Sequence, residues 1–244
     1  MGEYDFEVAV IGGGSAGYAT ARTTAGGGRR TVVIEGGGEL GGLCILRGCI
    51  PTKALLRSAE IYRNAKHADN YGLNINGIEF DLKKIVERSR SISKQLSSGV
   101  GYLLKKNKVD VIDGHGKLAA KSKLTVEKDG KKVVDLTAKY IILATGARAR
   151  SLPGLEPDGK LIWTYKEAMV PDAMPRSLLV VGSGAIGIEF ASFYHTLGVD
   201  VTVVEVLPRV LPVEDEEISE EDRELNIRME LNQDIKRGSY YDNA

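Results

Sequence analysis

The sequence predicts an α/β fold, because the same succession of strand, glycine turn, helix and strand occurs twice. The first copy begins with the apolar run 7–11 and ends with the run 31–35. The second begins with residues 177–181 and ends with residues 201–205. Short, continuously apolar runs are typical of parallel strands that are buried on both faces. We therefore expect two three-layer units built on parallel sheets.

Other segments add helices and a hairpin to this pattern. We expect helices over residues 51–66 and 81–106, the first with Pro51 in its first turn, where proline is favoured. Asp129-Gly130, between two β-branched runs, predicts a hairpin. Residues 139–146 predict another buried strand that ends at a glycine.

A change in sequence character suggests where the domains end. Proline and glycine punctuate the irregular stretch after residue 146, as in a linker. We predict one domain over residues 1–150 and a partial second domain over 151–213. Residues 214–244 form an acidic, polar tail that is either helical or disordered.

Charge and hydropathy exclude several classes of partner. Lys+Arg and Asp+Glu both number 33, so the chain lacks the positive charge of a nucleic-acid binder. The N-terminus lacks the pattern of a signal peptide, and no apolar run has the length of a membrane span. We therefore expect a cytoplasmic chain without nucleic-acid or membrane partners.

Two glycine motifs follow the first strands of the two copies. Each has the spacing G-x-G-x-x-G, whose glycines permit a tight turn, close approach to a pyrophosphate and close helix–strand packing. The pyrophosphate is expected at the helix N-terminus, where N–H groups attract anions. The predicted contacts are Gly12, Gly14, Ser15, Ala16 and Gly17 in the first copy, and Gly182, Gly184, Ala185, Ile186 and Gly187 in the second.

An acidic residue ends the second strand of each copy. Glu35 and Glu205 each lie 18 residues after the last glycine of their motif, where an acid can bind a ribose hydroxyl. One such motif is weak in a chain with 29 glycines, since it can be a purely structural turn. Two copies in register favour two dinucleotide sites. A carboxylate at Glu205 also favours NADH over NADPH, because it repels a 2′-phosphate.

The only two cysteines, Cys44 and Cys49, are five residues apart. A disulfide needs Cα atoms about 4.4–6.8 Å apart, so the segment must be a curled turn, which Gly48 permits. Closing so small a loop stabilises the fold by only about 2 kcal/mol, which favours redox exchange over a structural role. A helix N-terminus and Arg47 would stabilise a thiolate at Cys49. Two thiolates cannot complete a zinc site, so we expect no metal; a simple buried cysteine is the alternative.

The motifs, in their order, resemble the flavoprotein disulfide reductases. The resemblance rests on the first glycine motif, Glu35, and the segments 41–56 (GGLCILRGCIPTKALL), 141–147 (IILATGA) and 182–190 (GSGAIGIEF). Among the branches of that family, the dihydrolipoamide dehydrogenases are the most similar. The mercuric and glutathione reductases remain alternatives.

The resemblance implies FAD at the first motif and NAD at the second. It makes Cys44 the thiol that exchanges with the substrate and Cys49 the thiol beside the flavin, with Lys53 near the flavin and paired with Glu189. A dithiol, in this branch a lipoyl group, would reduce the Cys44–Cys49 disulfide, and electrons would pass through FAD to NAD+. The further implied FAD contacts are Gly42, Lys53, Thr145 and Gly146.

The chain departs from the family pattern in sequence and in length. Leu43 replaces the family's threonine, and Arg47 replaces an apolar residue. Family chains are about twice as long, so we expect both units to be incomplete on their C-terminal side and to expose apolar sheet surface. The domain that forms the family homodimer and supplies a His–Glu base is also expected to be absent, which predicts poor turnover. A dinucleotide-binding fragment without catalysis is the alternative function.

Overall fold

The structure is a computed structural model of the chain that describes residues 3–207 and 209–217. The strands are β1 (Phe6–Ile11), β2 (Thr31–Glu35), β3 (Asp110–Asp113), β4 (His115–Ala120), β5 (Lys123–Lys128), β6 (Lys131–Leu143), β7 (Ser177–Val181) and β8 (Asp200–Val204). The helices are α1 (Ser15–Gly26), α2 (Gly42–Arg47), α3 (Cys49–Lys66), α4 (Leu82–Lys106), α5 (Tyr165–Met169) and α6 (Ala185–Thr196), with a 3-10 turn at Ala68–Tyr71. The predicted α/β class is confirmed. The predicted tail lies almost wholly outside the described residues.

The chain divides into two compact units. Of the described residues, the first unit contains 3–51 and 87–169, and the second contains 52–86, 170–207 and 209–217. The domain bounds drawn from the sequence stay a prediction. No described helix combines the length and the apolar character needed to cross a membrane.

The first unit is built on a six-stranded sheet with the order β3-β2-β1-β6-β5-β4. β3, β2, β1 and the second half of β6 run parallel to one another. The first half of β6 pairs antiparallel with β5, which pairs antiparallel with β4. The predicted hairpin is confirmed: Asp129 and Gly130 both have positive φ, 50° and 73°, as a tight two-residue turn requires.

Successive residues of β1 and β2 point to opposite faces of this sheet, and each face has its own core. On one face, Val8, Val10 and Val33 pack with Ala21 of α1 and Leu104 of α4. On the other, the core residues are Ala9, Ile11, Val32 and Ile34, with Leu124, Val126, Leu136 and Ala138 of the antiparallel strands. The first unit therefore has three layers. They are the helices α1 and α4, the parallel strands, and the antiparallel strands.

The predicted buried strand 139–146 is wrong in its start and its burial. It is the second half of β6, and Tyr140 and Leu143 are 51% and 60% exposed. In this half β6 pairs with β1 on one side, and no described strand pairs with its other edge. Because this half of β6 has a neighbouring strand on one side only, its side chains are less buried than those of a central strand.

The second unit contains a parallel pair, β7 and β8, with α6 packed on it. The predicted burial of residues 177–181 is wrong, because Leu179 and Val181 are 62% and 52% exposed. A single helix covers one face of so small a sheet, and alternate residues of β7 point away from it. The expected exposure of apolar sheet surface is thus present in the described residues.

Candidate functional site

The first glycine motif forms a turn that is closed by its neighbours. Gly12 has φ +105°, and its N–H donates to the carbonyl of Ile34 at 2.8 Å. A Cβ at Gly12 would lie 2.2 Å from the carbonyl oxygen of Ala144, just after β6. A Cβ at Gly17 would lie 1.7 Å from the Gly12 oxygen. Only glycine fits at both positions.

The acid at the end of β2 holds this turn through both of its oxygens. Glu35 Oε2 accepts a hydrogen bond from Gly13 N at 2.7 Å, and Oε1 accepts one from Gly37 N at 2.6 Å. Each carboxylate oxygen has two lone pairs, so both retain the capacity to accept from a ribose hydroxyl. Glu35 therefore supports the turn and is suited to ligand binding.

The second motif repeats this arrangement. Glu205 Oε2 accepts from the N–H and hydroxyl of Ser183, both at 2.8 Å, and Oε1 accepts from Leu207 N at 3.0 Å. Partial burial raises the pKa of Glu205, but the hydrogen bonds from Leu207 and Ser183 outweigh burial and lower the pKa overall. Glu205 is therefore an anion at neutral pH, consistent with discrimination against a 2′-phosphate.

Both glycine turns lead into helix N-termini suited to an anion. Gly14 and Gly184 are the N-caps of α1 and α6, and neither makes a side-chain cap hydrogen bond. Neither helix has an acidic residue in its first turn. The N–H groups of a first helical turn have no partners within the helix, and they attract phosphate. These first turns contain the predicted contacts Ser15, Ala16 and Gly17, and Ala185, Ile186 and Gly187.

The cysteine segment is joined directly to the first glycine turn. Gly41 N donates to the carbonyl of Gly13 at 2.9 Å, and Gly14 and Gly41 form a parallel β-bridge. A Cβ at Gly42 would lie 2.6 Å from the Cα of Gly14. The two backbones therefore touch, and α2 starts at the turn that is suited to a pyrophosphate.

The two cysteines lie on either side of a sharp reversal at Gly48. Cys44 is on α2 and half-buried, while Cys49 is exposed, and the two do not form a disulfide in this structure. A Cβ at Gly48 would lie 2.9 Å from the Leu43 carbonyl oxygen and 3.4 Å from the Cys44 Cα. The chain between the cysteines is therefore curled, as predicted. The expected helix start at Pro51 is two residues late, because Cys49 is itself the first residue of α3.

Lys53 follows Cys49 by one helical turn on α3 and forms an ion pair with Glu189 of α6. The pairing that the resemblance implied is therefore present. The Lys53 side chain is 60% exposed.

Thr145 and Gly146 follow β6 and lie beside the first glycine turn. Ala144 N donates to the carbonyl of Ile11 at 2.8 Å, which aligns the ends of β1 and β6. A Cβ at Gly12 would lie 3.5 Å from the Thr145 Cα. The first turn, the start of the cysteine segment and the end of β6 thus converge at the carboxyl edge of the sheet, where ligands bind in open α/β sheets.

A family model for the pyridine nucleotide-disulphide oxidoreductases matches residues 6–239. The chain belongs to this family. The matched range extends into the predicted tail, residues 214–244.

Several relatives of this chain are dihydrolipoyl dehydrogenases. That of Rhizobium etli is 52% identical over 229 residues, which cover 88% of this chain and 47% of the relative. That of Zymomonas mobilis is 51% identical over 214 residues, covering 88% and 46%. The crystal structure of LpdA from Mycobacterium tuberculosis matches with a TM-score of 0.83 and 31% identity, over 92% of this chain and 50% of that one. The chain thus spans about half the length of the curated relatives it matches.

Two features of the candidate site had no signal in the sequence. One is the backbone bond between Gly41 and Gly13, and the other is a hydrogen bond from Arg90 to the carbonyl of Leu46. Both join residues that are far apart in the chain. Among the described residues, no group of three or more His, Cys, Asp or Glu side chains is arranged to hold a metal ion.

Proposed function

We propose that this chain is part of a dihydrolipoyl dehydrogenase-type oxidoreductase, which passes electrons from a dithiol through Cys44 and Cys49 and FAD to NAD+. One observation carries the proposal: the Gly41–Gly13 bond joins the cysteine segment to the first dinucleotide turn. A thiol pair needs this proximity to exchange electrons with a bound cofactor. The lipoyl group as substrate and a homodimeric assembly belong to the same proposal.

The first unit fits the pyrophosphate and ribose of FAD. The uncapped N-terminus of α1 supplies N–H groups for the phosphates, and Glu35 supplies acceptors for a ribose hydroxyl. Gly12 and Gly42 leave the turn clear of side chains where backbone must approach the ligand. When bound, FAD would accept two electrons from the thiol pair and deliver them as hydride to NAD+.

The cysteines would carry out the thiol chemistry. A substrate thiolate attacks Cys44 Sγ of the disulfide, forming a substrate–Cys44 bond and releasing Cys49 as a thiolate. The second substrate thiol then displaces Cys44, so the substrate leaves as a disulfide and both cysteines are reduced. Cys49, at the N-terminus of α3, is suited to hold the thiolate because the helix dipole stabilises negative charge there.

Lys53 and Glu205 supply positioning and cofactor selectivity. The ion pair with Glu189 fixes the Lys53 ammonium one turn from Cys49, on the same helix. In the second unit, the carboxylate of Glu205 selects a free ribose hydroxyl and therefore NAD+ over NADP+.

The test is an absorption experiment on the purified chain. After desalting, we expect flavin absorption bands, and under anaerobic conditions dihydrolipoamide should bleach them. Cys44→Ser and Cys49→Ser should keep the flavin bands but lose the bleaching by dithiol. Flavin that is reduced equally in all three proteins would contradict the thiol route. Flavin binding without any reduction would favour a dinucleotide-binding fragment.

A further inference from the structure

A half-buried arginine contacts the segment between the two cysteines. Arg90 is on α4, and its Nη1 donates to the carbonyl of Leu46 at 2.6 Å. Leu46 is in the last turn of α2, between Cys44 and Cys49. Carbonyl groups in the last turn of a helix have no partners within that helix. Arg90 therefore caps α2 from another element, and the shortness of the bond is typical of a charge-assisted hydrogen bond.

The charge of Arg90 is not neutralised by contact. Nη2 lies 3.2 Å from Met169 Sδ and 3.4 Å from Ser93 Oγ, both uncharged. Nε is buried and has no hydrogen-bond partner among the described residues. Burial and the nearby Arg47 lower the pKa of Arg90, and Glu39 acts in the opposite direction. A guanidinium nevertheless stays protonated at neutral pH.

We propose that Arg90 is a positioning residue for the Cys44–Cys49 couple. It fixes the last turn of α2 between the two cysteines and favours the reduced, thiolate-bearing form of the pair. The inference rests on the proposed function, since it concerns the same two thiols.

The physical reason lies in where the charge is placed. A positive charge near a thiolate stabilises it, and the effect is larger where solvent is excluded. Arg47 is also close in the chain but is exposed, so water screens its charge. Arg90 is held in place by three acceptors on α2, α4 and α5, which keeps both its charge and its donor in a fixed position.

The experiment measures the thiol–disulfide equilibrium of the whole chain in glutathione buffers. In the reaction, the protein disulfide and two glutathione thiols give two protein thiols and glutathione disulfide. The reduced fraction is counted by alkylation and mass spectrometry. For Arg90→Gln we expect the equilibrium constant for reduction to fall about tenfold, or about 30 mV for a two-electron couple.

Two further variants separate charge from fold. Arg90→Lys keeps the positive charge but loses the several N–H donors of the guanidinium. The equilibrium constant for reduction of this variant should therefore lie between those of the wild type and Arg90→Gln. Arg88→Gln removes the same charge from an exposed position of the same helix and should leave the constant unchanged. Circular dichroism melts of all variants identify any loss of fold. If Arg90→Gln is unfolded, Arg90→Lys carries the test.

The outcomes distinguish this inference from the proposed function. A wild-type chain with a reversible disulfide whose constant is the same in Arg90→Gln and Arg90→Lys would overturn the role of Arg90 alone. An equal shift in Arg88→Gln would also overturn it. A wild-type chain that forms no reversible Cys44–Cys49 disulfide would overturn both the inference and the proposed function.

Discussion

The glycine turns at Gly12 and Gly182 share a local geometry but differ in what surrounds them. Their φ angles are +105° and +100°, and each N–H donates at 2.8 Å to the last strand residue before the acid. A Cβ at Gly12 would collide with the Ala144 carbonyl, whereas a Cβ at Gly182 would meet no other atom of the described residues within 4 Å. The turn is thus a product of the local sequence, and its enclosure is a product of the neighbouring strand.

This difference shows what each part of a dinucleotide unit contributes. The strand, turn, helix, strand and acid are enough to form the turn in both units. In the first unit, β6 and the cysteine segment then close over it, through Ala144 and the Gly41–Gly13 bond. In the second unit, the described residues contain two strands, and apolar side chains such as Leu179 face outward.

The largest expected effect comes from adding a methyl group to each turn. Gly12→Ala should lower the free energy of unfolding by about 3–5 kcal/mol, because overpacking and backbone strain act together. Gly182→Ala should cost about 1–3 kcal/mol, from backbone strain alone. Urea unfolding followed by circular dichroism measures both. Equal decreases in the free energy of unfolding would contradict the inference that only the first turn is enclosed by its neighbours.

The open sheet of the second unit should promote self-association. Leu179→Lys places a charge on the exposed face, and we expect the dissociation constant of any self-associated species to rise about tenfold, or about 1.4 kcal/mol. The matched control is Leu161→Lys, at a leucine that is 91% exposed but lies outside the strands. Light scattering during size-exclusion chromatography gives the result. A wild-type chain that stays monomeric at all concentrations would contradict this account of the sheet.

The acid of the second turn makes stability depend on pH. The pKa of Glu205 is below its ordinary value of 4.5. The stabilisation that its carboxylate contributes to the free energy of unfolding is therefore fully present above pH 4.5, and it is lost as the pH falls through the lowered pKa. Glu205→Gln should therefore destabilise the chain by about 1–2 kcal/mol at neutral pH. The difference from wild type should shrink below pH 4.5. Urea unfolding at several pH values tests this, and a difference that is constant with pH would argue against a stabilising carboxylate.

The smallest expected effect has the opposite sign. Gly99 is an exposed residue of α4, and a Cβ there would meet nothing within 4 Å. Gly99→Ala should raise the free energy of unfolding by about 0.5–1 kcal/mol, because alanine loses less backbone entropy in a helix. Thermal unfolding measures the change. A loss of stability would mean that glycines of the first unit are constrained beyond the turns.

The parts of the site that depend on near neighbours in the chain could be predicted from the sequence. The glycine turns, their acids and the hairpin at Asp129-Gly130 all arise from local spacing and backbone conformation. The exposure of Leu143 and Leu179 could not be predicted from apolar runs, since it depends on how many strands flank β6 and β7. The contact of Arg90 with Leu46 spans 44 residues, and no local pattern encodes it.

The most direct test of the account is flavin retention by the wild-type chain and by Gly12→Ala and Gly182→Ala, each first shown to be folded. We expect the flavin at the first turn and the pyridine nucleotide at the second. Each protein is incubated with excess FAD and then desalted. The wild-type chain and Gly182→Ala should keep the flavin absorption bands, and Gly12→Ala should lose them. Loss of flavin from Gly182→Ala but not from Gly12→Ala, or no flavin in the wild-type chain, would contradict the account.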